Sequence, residues 1–132
     1  MTTFWDTSAI LPLVYKEVHT PAAQTAADRA GPHFAWEWLR VEARLAIARR
    51  GNQPDRVRRL GEWFESADWQ ELGSEKLADV IDLGVRHRLR AANAGHLFTL
   101  LQTRRLFAEI VFVCFDEDLA AAAKAEGVTV WE

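Results

Sequence analysis

Two short apolar runs in this chain each end in an aspartate, about 110 residues apart. Thr2-Thr3-Phe4-Trp5 leads into Asp6, and Ile110-Val111-Phe112-Val113-Cys114-Phe115 leads into Asp116. A stretch that reads as a helix start follows each. If both runs are neighbouring strands of one parallel sheet, both carboxylates reach its carboxyl edge, where open α/β sheets bind ligands. Carboxylates brought together there repel each other unless a cation or a proton separates them. The pattern predicts a divalent metal site. Taken singly, each aspartate has a plainer reading as a helix N-cap, worth about 1 kcal/mol. Capping does not require the two to share one edge.

Glu42 lies in mid-helix between Val41 and Ala43, beside an apolar stripe. An unpaired buried carboxylate is costly. Glu42 is therefore a boundary residue, a partner of Arg44 or Arg49, or a third oxygen ligand reaching over the sheet edge. Glu117 and Asp118 follow Asp116 and suit the first turn of a helix, with Asp118 an optional outer ligand. Three or four carboxylates around magnesium or manganese make a phosphodiester hydrolysis site, in which the metal activates water and offsets developing charge. Magnesium keeps several waters, so a sparse acidic cluster suffices. His19, His33, His87 and His96 show no metal-ligand spacing and have no cysteine partners. The glycines form no phosphate-cradling loop, and no nucleophile elbow surrounds Ser8, Ser66 or Ser74.

The elements that must position these residues are legible. Residues 2–5 read as a strand. A helix runs from Ser8, as N-cap, to about Tyr15, with Pro12 near its first turn. Thr20-Pro21 starts another, which reaches about Arg29 and stops at Gly31-Pro32. His33 to Ala35 forms a second strand. Trp36 to Arg50 is a long helix with Trp38, Val41, Leu45 and Ala48 as its apolar stripe. Pro54 to Ala67 is amphipathic, with Val57, Leu60 and Phe64 on one face. A strand over Trp69 to Leu72 precedes a helix from Ser74 to about Arg90, and Asn93 opens the next. Strand 110–115, a helix from Glu117 to Glu126, Gly127 and a strand from Val128 to Trp131 make a closing βαβ unit, which requires parallel pairing. The whole predicts one α/β domain: three layers, with a small parallel sheet of four to five strands between helices.

With 132 residues, 49% of them hydrophobic and 27% charged, the chain has the makeup of one ordinary globular domain. One cysteine, Cys114, excludes an internal disulfide and a thiolate zinc cluster, and its apolar run predicts a buried, inert thiol. No apolar run approaches the roughly 20 residues of a membrane span, and no signal-type segment opens the chain. A cytoplasmic protein without a membrane partner is expected. A net charge of −3 argues against coating nucleic acid by bulk charge. Lys16, Lys76 and Lys124 are the only lysines, so arginine dominates. The arginines cluster around residues 40–50, 56–59, 86–90 and 104–105, and suit bidentate phosphate contacts as well as solvated helix faces. Trp36, Trp38, Trp63 and Trp69 are expected in the core or at an interface rather than stacked on bases.

Phe4-Trp5-Asp6-Thr7-Ser8-Ala9-Ile10-Leu11, Glu42 in mid-helix, Leu89-Arg90-Ala91-Ala92-Asn93-Ala94-Gly95-His96-Leu97 and Val111-Phe112-Val113-Cys114-Phe115-Asp116-Glu117-Asp118-Leu119 together resemble the PIN-domain family. Within that family the chain resembles the VapC-like toxins of bacterial toxin–antitoxin pairs, over essentially its whole length. The resemblance implies a magnesium- or manganese-dependent endoribonuclease with Asp6, Glu42 and Asp116 as its acidic cluster. Ser8 would lie near the metal and Asp118 would be an occasional extra ligand. It also implies a homodimer and a small antitoxin whose tail enters the active-site groove. One position departs from the family pattern: Asn93 stands where an aspartate is common, three residues before His96. Asparagine can still offer a carbonyl oxygen to a hard cation, but brings no charge, which leaves open one metal or two. Asn93 also suits a helix N-cap, and His96 reads as a structural or supporting residue. The alternative expectation is a degenerate PIN domain that binds RNA or an antitoxin and cleaves weakly or not at all. A metal-free scaffold is a third.

Overall fold

The computed structural model describes residues 1–29 and 31–132. Ala30, at the expected end of the second helix, lies outside the described residues. Five strands form one all-parallel sheet: β1 (Thr3–Trp5), β2 (His33–Trp36), β3 (Ala67–Gln70), β4 (Val111–Val113) and β5 (Thr129–Val130). Their spatial order is β3-β2-β1-β4-β5. Thr3 is in register with His33 on one side and with Val111 on the other.

Strand side chains alternate between faces, and both faces are apolar here. Phe4, Phe34 and Phe112 enter one core; Trp5, Ala35 and Val113 enter the other. The second core is covered by α1 (Thr7–Val14), α2 (Thr20–Asp28), α3 (Trp38–Arg49) and α4 (Pro54–Ser66). The first is covered by α5 (Leu77–His87), α6 (Ala91–Arg104) and α7 (Glu117–Ala125), with a short 3₁₀ turn at Ser74–Lys76 before α5. The fold is a three-layer, PIN-like α/β architecture, as expected from strands separated by helices. The chain runs outward from β1 to β3, then returns to the other side of β1 for β4 and β5. Right-handed crossovers place the two helix sets on opposite faces. The switch point therefore lies between β1 and β4, directly before Asp6 and Asp116.

Several boundaries differ from the expected ones. Trp36 is the last residue of β2, and α3 begins at Trp38. β3 begins two residues earlier than expected, and β4 keeps only 111–113 of the six-residue run. The stripe Trp38, Val41 and Leu45 does not face the core: these residues are 47, 40 and 52% exposed, while Leu39, Ala43 and Ile47 are fully buried. A two-faced helix confuses periodicity, because either stripe satisfies the 3.6-residue repeat. α5 ends three residues early. Arg88 adopts φ 55°, ψ 43°, and the Leu89 amide returns to the Gly84 carbonyl at 2.9 Å. This is the Schellman closure that normally takes glycine.

Candidate active site

Asp6 leaves β1 and caps α1, so it is the N-cap where Ser8 was expected. Its Oδ2 accepts the Ser8 amide at 3.2 Å and the Ser8 hydroxyl at 2.6 Å, and the side chain is buried. Ser8 Oγ also accepts the Phe115 amide at 2.9 Å, and the Asp6 amide donates to the Val113 carbonyl at 3.0 Å. Ser8 thus ties the turn after β1 to the chain leaving β4. Asp116 caps α7 in the same way, its Oδ1 accepting the Leu119 amide at 3.0 Å. Both bland readings hold, and both aspartates still stand at the switch point.

Glu42 projects from α3 and is half-buried. It pairs with neither Arg44 nor Arg49 among the described residues. Instead its Oε1 accepts the Thr7 hydroxyl at 3.0 Å and His96 Nε2 at 2.6 Å. A carboxylate can only accept, so Nε2 carries a proton. The same nitrogen lies 3.5 Å from Asp6 Oδ1. Asp6 and Glu42 are therefore brought together, and a histidine N–H sits between them. His96 is 1% exposed, edge-on to Trp36 at 5.0 Å, and its Nδ1 has no hydrogen-bond partner among the described residues.

Burial alone would push the His96 imidazole down, but the Asp6 charge, then the Glu42 hydrogen bond and charge, raise it above the ordinary 6.5. For Glu42, burial pushes the carboxyl up, but the hydrogen bond and charge of His96 and the Thr7 hydroxyl win and hold it below its usual range. A raised folded-state pKa stabilises fully below the unfolded value and loses that contribution as pH rises through the folded one. The metal-free protein should thus lose stability from about pH 6.5 upward as His96 deprotonates. Thermal melts across that range, with His96 followed by NMR, check this; a His96 titrating below 6.5 would contradict it.

Asn93 sits in the first turn of α6, three residues in, and is not its N-cap; Arg90 is. Its Nδ2 donates to Asp116 Oδ2 at 3.4 Å. Because that oxygen only accepts, the amide must turn its nitrogen toward it. Asn93 therefore gives Asp116 a long hydrogen bond where an acid would have opposed it. Glu42, Asn93, Asp116 and Asp118 share a cleft of about 400 Å³ with Arg88 and Arg90. Asp6 is buried and does not line this cleft; it is linked to it through the contacts Asp6–His96–Glu42. Cys114 is buried with Sγ 3.7 Å from Asp6 Oδ2, and burial, then the Asp6 charge, push its thiol well up, in keeping with an inert group.

Each carboxylate spends one oxygen on the scaffold. Asp6 Oδ2, Glu42 Oε1 and Asp116 Oδ1 are held by backbone or neutral hydroxyl donors, Glu42 by His96 as well. Among the described residues, the other oxygens of Asp6 and Asp116 meet only long contacts, with His96 and Asn93, and Glu42 Oε2 meets none. The donor set is entirely hard oxygen, the kind magnesium or manganese takes. Among the described residues no three His, Cys, Asp or Glu side chains form a ready-made cage. Sequence reasoning assigned Thr7 no role; the available signal was its place in the first turn behind Asp6. His96 is the supporting residue it was expected to be, one turn beyond Asn93 on the same helix face.

Many arginines prove to be structural. Arg40 stacks on Trp69 at 4.4 Å, and Arg50 and Arg56 flank Tyr15 at 4.5 and 4.7 Å. Arg56 also donates to the Val14 carbonyl, and Arg104 to the Glu126 carbonyl. The tryptophans are core or half-buried, except Trp38. Among the described residues no helix is long and apolar enough to cross a membrane.

No protein-family model and no curated protein matches the chain. Among solved structures it is similar to PAE2754 from Pyrobaculum aerophilum, with a TM-score of 0.66 and 18% identity, over 98% of this chain and 89% of that one. At that identity the likeness is one of fold: a three-layer α/β domain with a parallel sheet.

Proposed function

We propose that the chain is a PIN-domain endoribonuclease that hydrolyses RNA with Mg2+ or Mn2+, acting as the toxin of a toxin–antitoxin pair in the cytoplasm. The observation that carries this reading is the convergence of Asp6 and Glu42 on His96, with Glu42 and Asp116 lining one cleft. Asp6, Glu42 and Asp116 would hold the ion, with the Asn93 carbonyl as a neutral fourth donor and Asp118 further out. A bound ion would supply hydroxide at neutral pH and offset charge on the phosphate. Ser8 and Thr7 fix the two carboxylates, and His96 shields them from each other while the site is empty of cation. Incubating purified protein with RNA and Mn2+, against an EDTA control and Asp6→Asn, tests this. Cleavage that survives EDTA or the substitution would sink it.

The second reading, a degenerate domain that binds RNA or antitoxin and cleaves poorly, is favoured by Asn93. Asn93→Asp would remove the Nδ2 donor and set two carboxylates face to face, which is tolerable only with a cation between them. The variant should melt lower than wild type in EDTA and higher in Mn2+, with Mn2+ affinity raised on the order of tenfold. If wild type already cleaves as fast as Asn93→Asp, the degenerate reading fails. A homodimer and an antitoxin belong to the same proposal. Trp38, Val41 and Leu45 on α3, with Leu77, Ile81 and Val85 on α5, are exposed apolar side chains of the kind a protein partner covers.

A further inference from the structure

We propose that Arg88 and Arg90 are a phosphate-binding pair that grips the RNA backbone at the acidic cleft, an inference that rests on the RNA-hydrolysis reading. Both line the cleft that holds Glu42, Asn93 and Asp116. Both are exposed, and among the described residues neither makes an ion pair or a side-chain hydrogen bond. Their neighbours differ: Arg86 pairs with Glu126 at 3.2 Å, and Arg40, Arg50, Arg56 and Arg104 are spent on rings and carbonyls. Of the arginines, these two are left with free guanidinium groups beside the carboxylates.

The backbone supplies an independent argument. Arg88 has φ 55°, the left-handed region that disfavours a side chain. Glycine there would be better for the fold. Arginine at a position where glycine is preferred is paid for in stability, and its cleft-lining side chain is what the chain gains. Strain of this sort concentrates at functional sites.

The chemistry selects a phosphodiester. A chain of net charge −3 attracts RNA poorly in bulk, so affinity must come from local cations. Carboxylates in the cleft would repel the scissile region unless fixed positive charge stood beside them. A guanidinium fork matches two phosphate oxygens. RNA repeats this group along its backbone, so Arg88 and Arg90 can each hold one phosphate, whereas a single peptide carboxylate occupies only one fork.

The test is binding of fluorescein-labelled single-stranded RNA in EDTA, by anisotropy over a salt series, beside thermal melts. Arg88→Gly should melt higher than wild type yet bind RNA at least about fivefold more weakly at low salt. Its slope of log affinity against log salt should shrink by about 0.7, the single-strand value for one lost phosphate contact. Arg90→Ala should lose affinity and slope similarly without the gain in melting temperature, and Arg88→Lys should keep most of the slope. Unchanged affinity and slope in both loss variants overturns the pair while leaving the nuclease reading standing. A lower melting temperature for Arg88→Gly overturns it too, because Arg88 would then be held for packing. A poly-glutamate peptide that loses affinity in both variants while RNA does not would assign the pair to an acidic protein segment and overturn the proposal. Wild type that neither binds nor cleaves RNA removes both the pair and the nuclease reading.

Discussion

Asp6→Asn should abolish metal-dependent RNA cleavage while leaving the fold intact. Asparagine is as good an N-cap as aspartate, and its side-chain oxygen can still accept from the Ser8 amide and hydroxyl that now hold Oδ2. The melting temperature should therefore stay close to wild type at alkaline pH and fall below it at acid pH, where the Asp6 charge stabilises protonated His96. What disappears is the negative charge facing His96. Losing a contact that only supports a ligand costs 10–100-fold in metal affinity. Removing a charged donor itself should cost about 100-fold or more on that scale, and cleavage should fall to background. Calorimetry with Mn2+ reads the first effect and a gel assay the second. The His96 pKa should also drop, because Asp6 is the largest influence raising it. An Asp6→Asn protein that binds Mn2+ normally would mean that the ion, if any, sits elsewhere.

Gly95→Leu should be strongly destabilising. A Cβ on Gly95 would lie 2.3 Å from Trp36 Cη2 and 2.4 Å from Cζ3. The indole ring is rigid and stands edge-on to His96, so it cannot yield without disturbing that contact. Leucine ordinarily favours a helix interior over glycine, by less than about 1 kcal/mol. Here overpacking outweighs it, with a net loss of about 3 kcal/mol and a fall in melting temperature on the order of 10 °C. Trp36→Ala in the same chain opens the space, and the double variant should regain most of the loss, a coupling that a double-mutant cycle reads directly. Equal melting of wild type and Gly95→Leu would show that Trp36 does not fill that space. Cleavage should fall in the single variant as well, because Trp36 backs the histidine that holds Glu42.

The outline of the fold lay in local chemistry. Apolar strand runs, Thr20-Pro21, Gly51 and Gly127 punctuate the chain, and the short closing βαβ unit can only be parallel. Asp6, Glu42 and Asp116 were singled out from type and position, and the structure brings Asp6 and Glu42 onto one histidine and Glu42 and Asp116 into one cleft. The errors have a common cause. Apolar stripes such as Trp38, Val41 and Leu45 obey helical spacing, but periodicity does not say which of two faces a monomer buries. Ser8 and Asn93 are good capping residues placed two and three positions after Asp6 and Arg90, the residues that cap their helices, because a cap is chosen by where the chain enters the helix.

By itself the sequence determined that this is a parallel α/β domain with two strand-end aspartates and one helical glutamate to account for. Only the tertiary structure decided what separates their charges. His96, 90 residues from Asp6 and 54 from Glu42 in the chain, supplies the proton-bearing nitrogen between them, and Asn93 supplies the donor to Asp116. Such pairings depend on which helix packs over which strand end. That is fixed by burial of the two cores, a non-local free energy that no local spacing records.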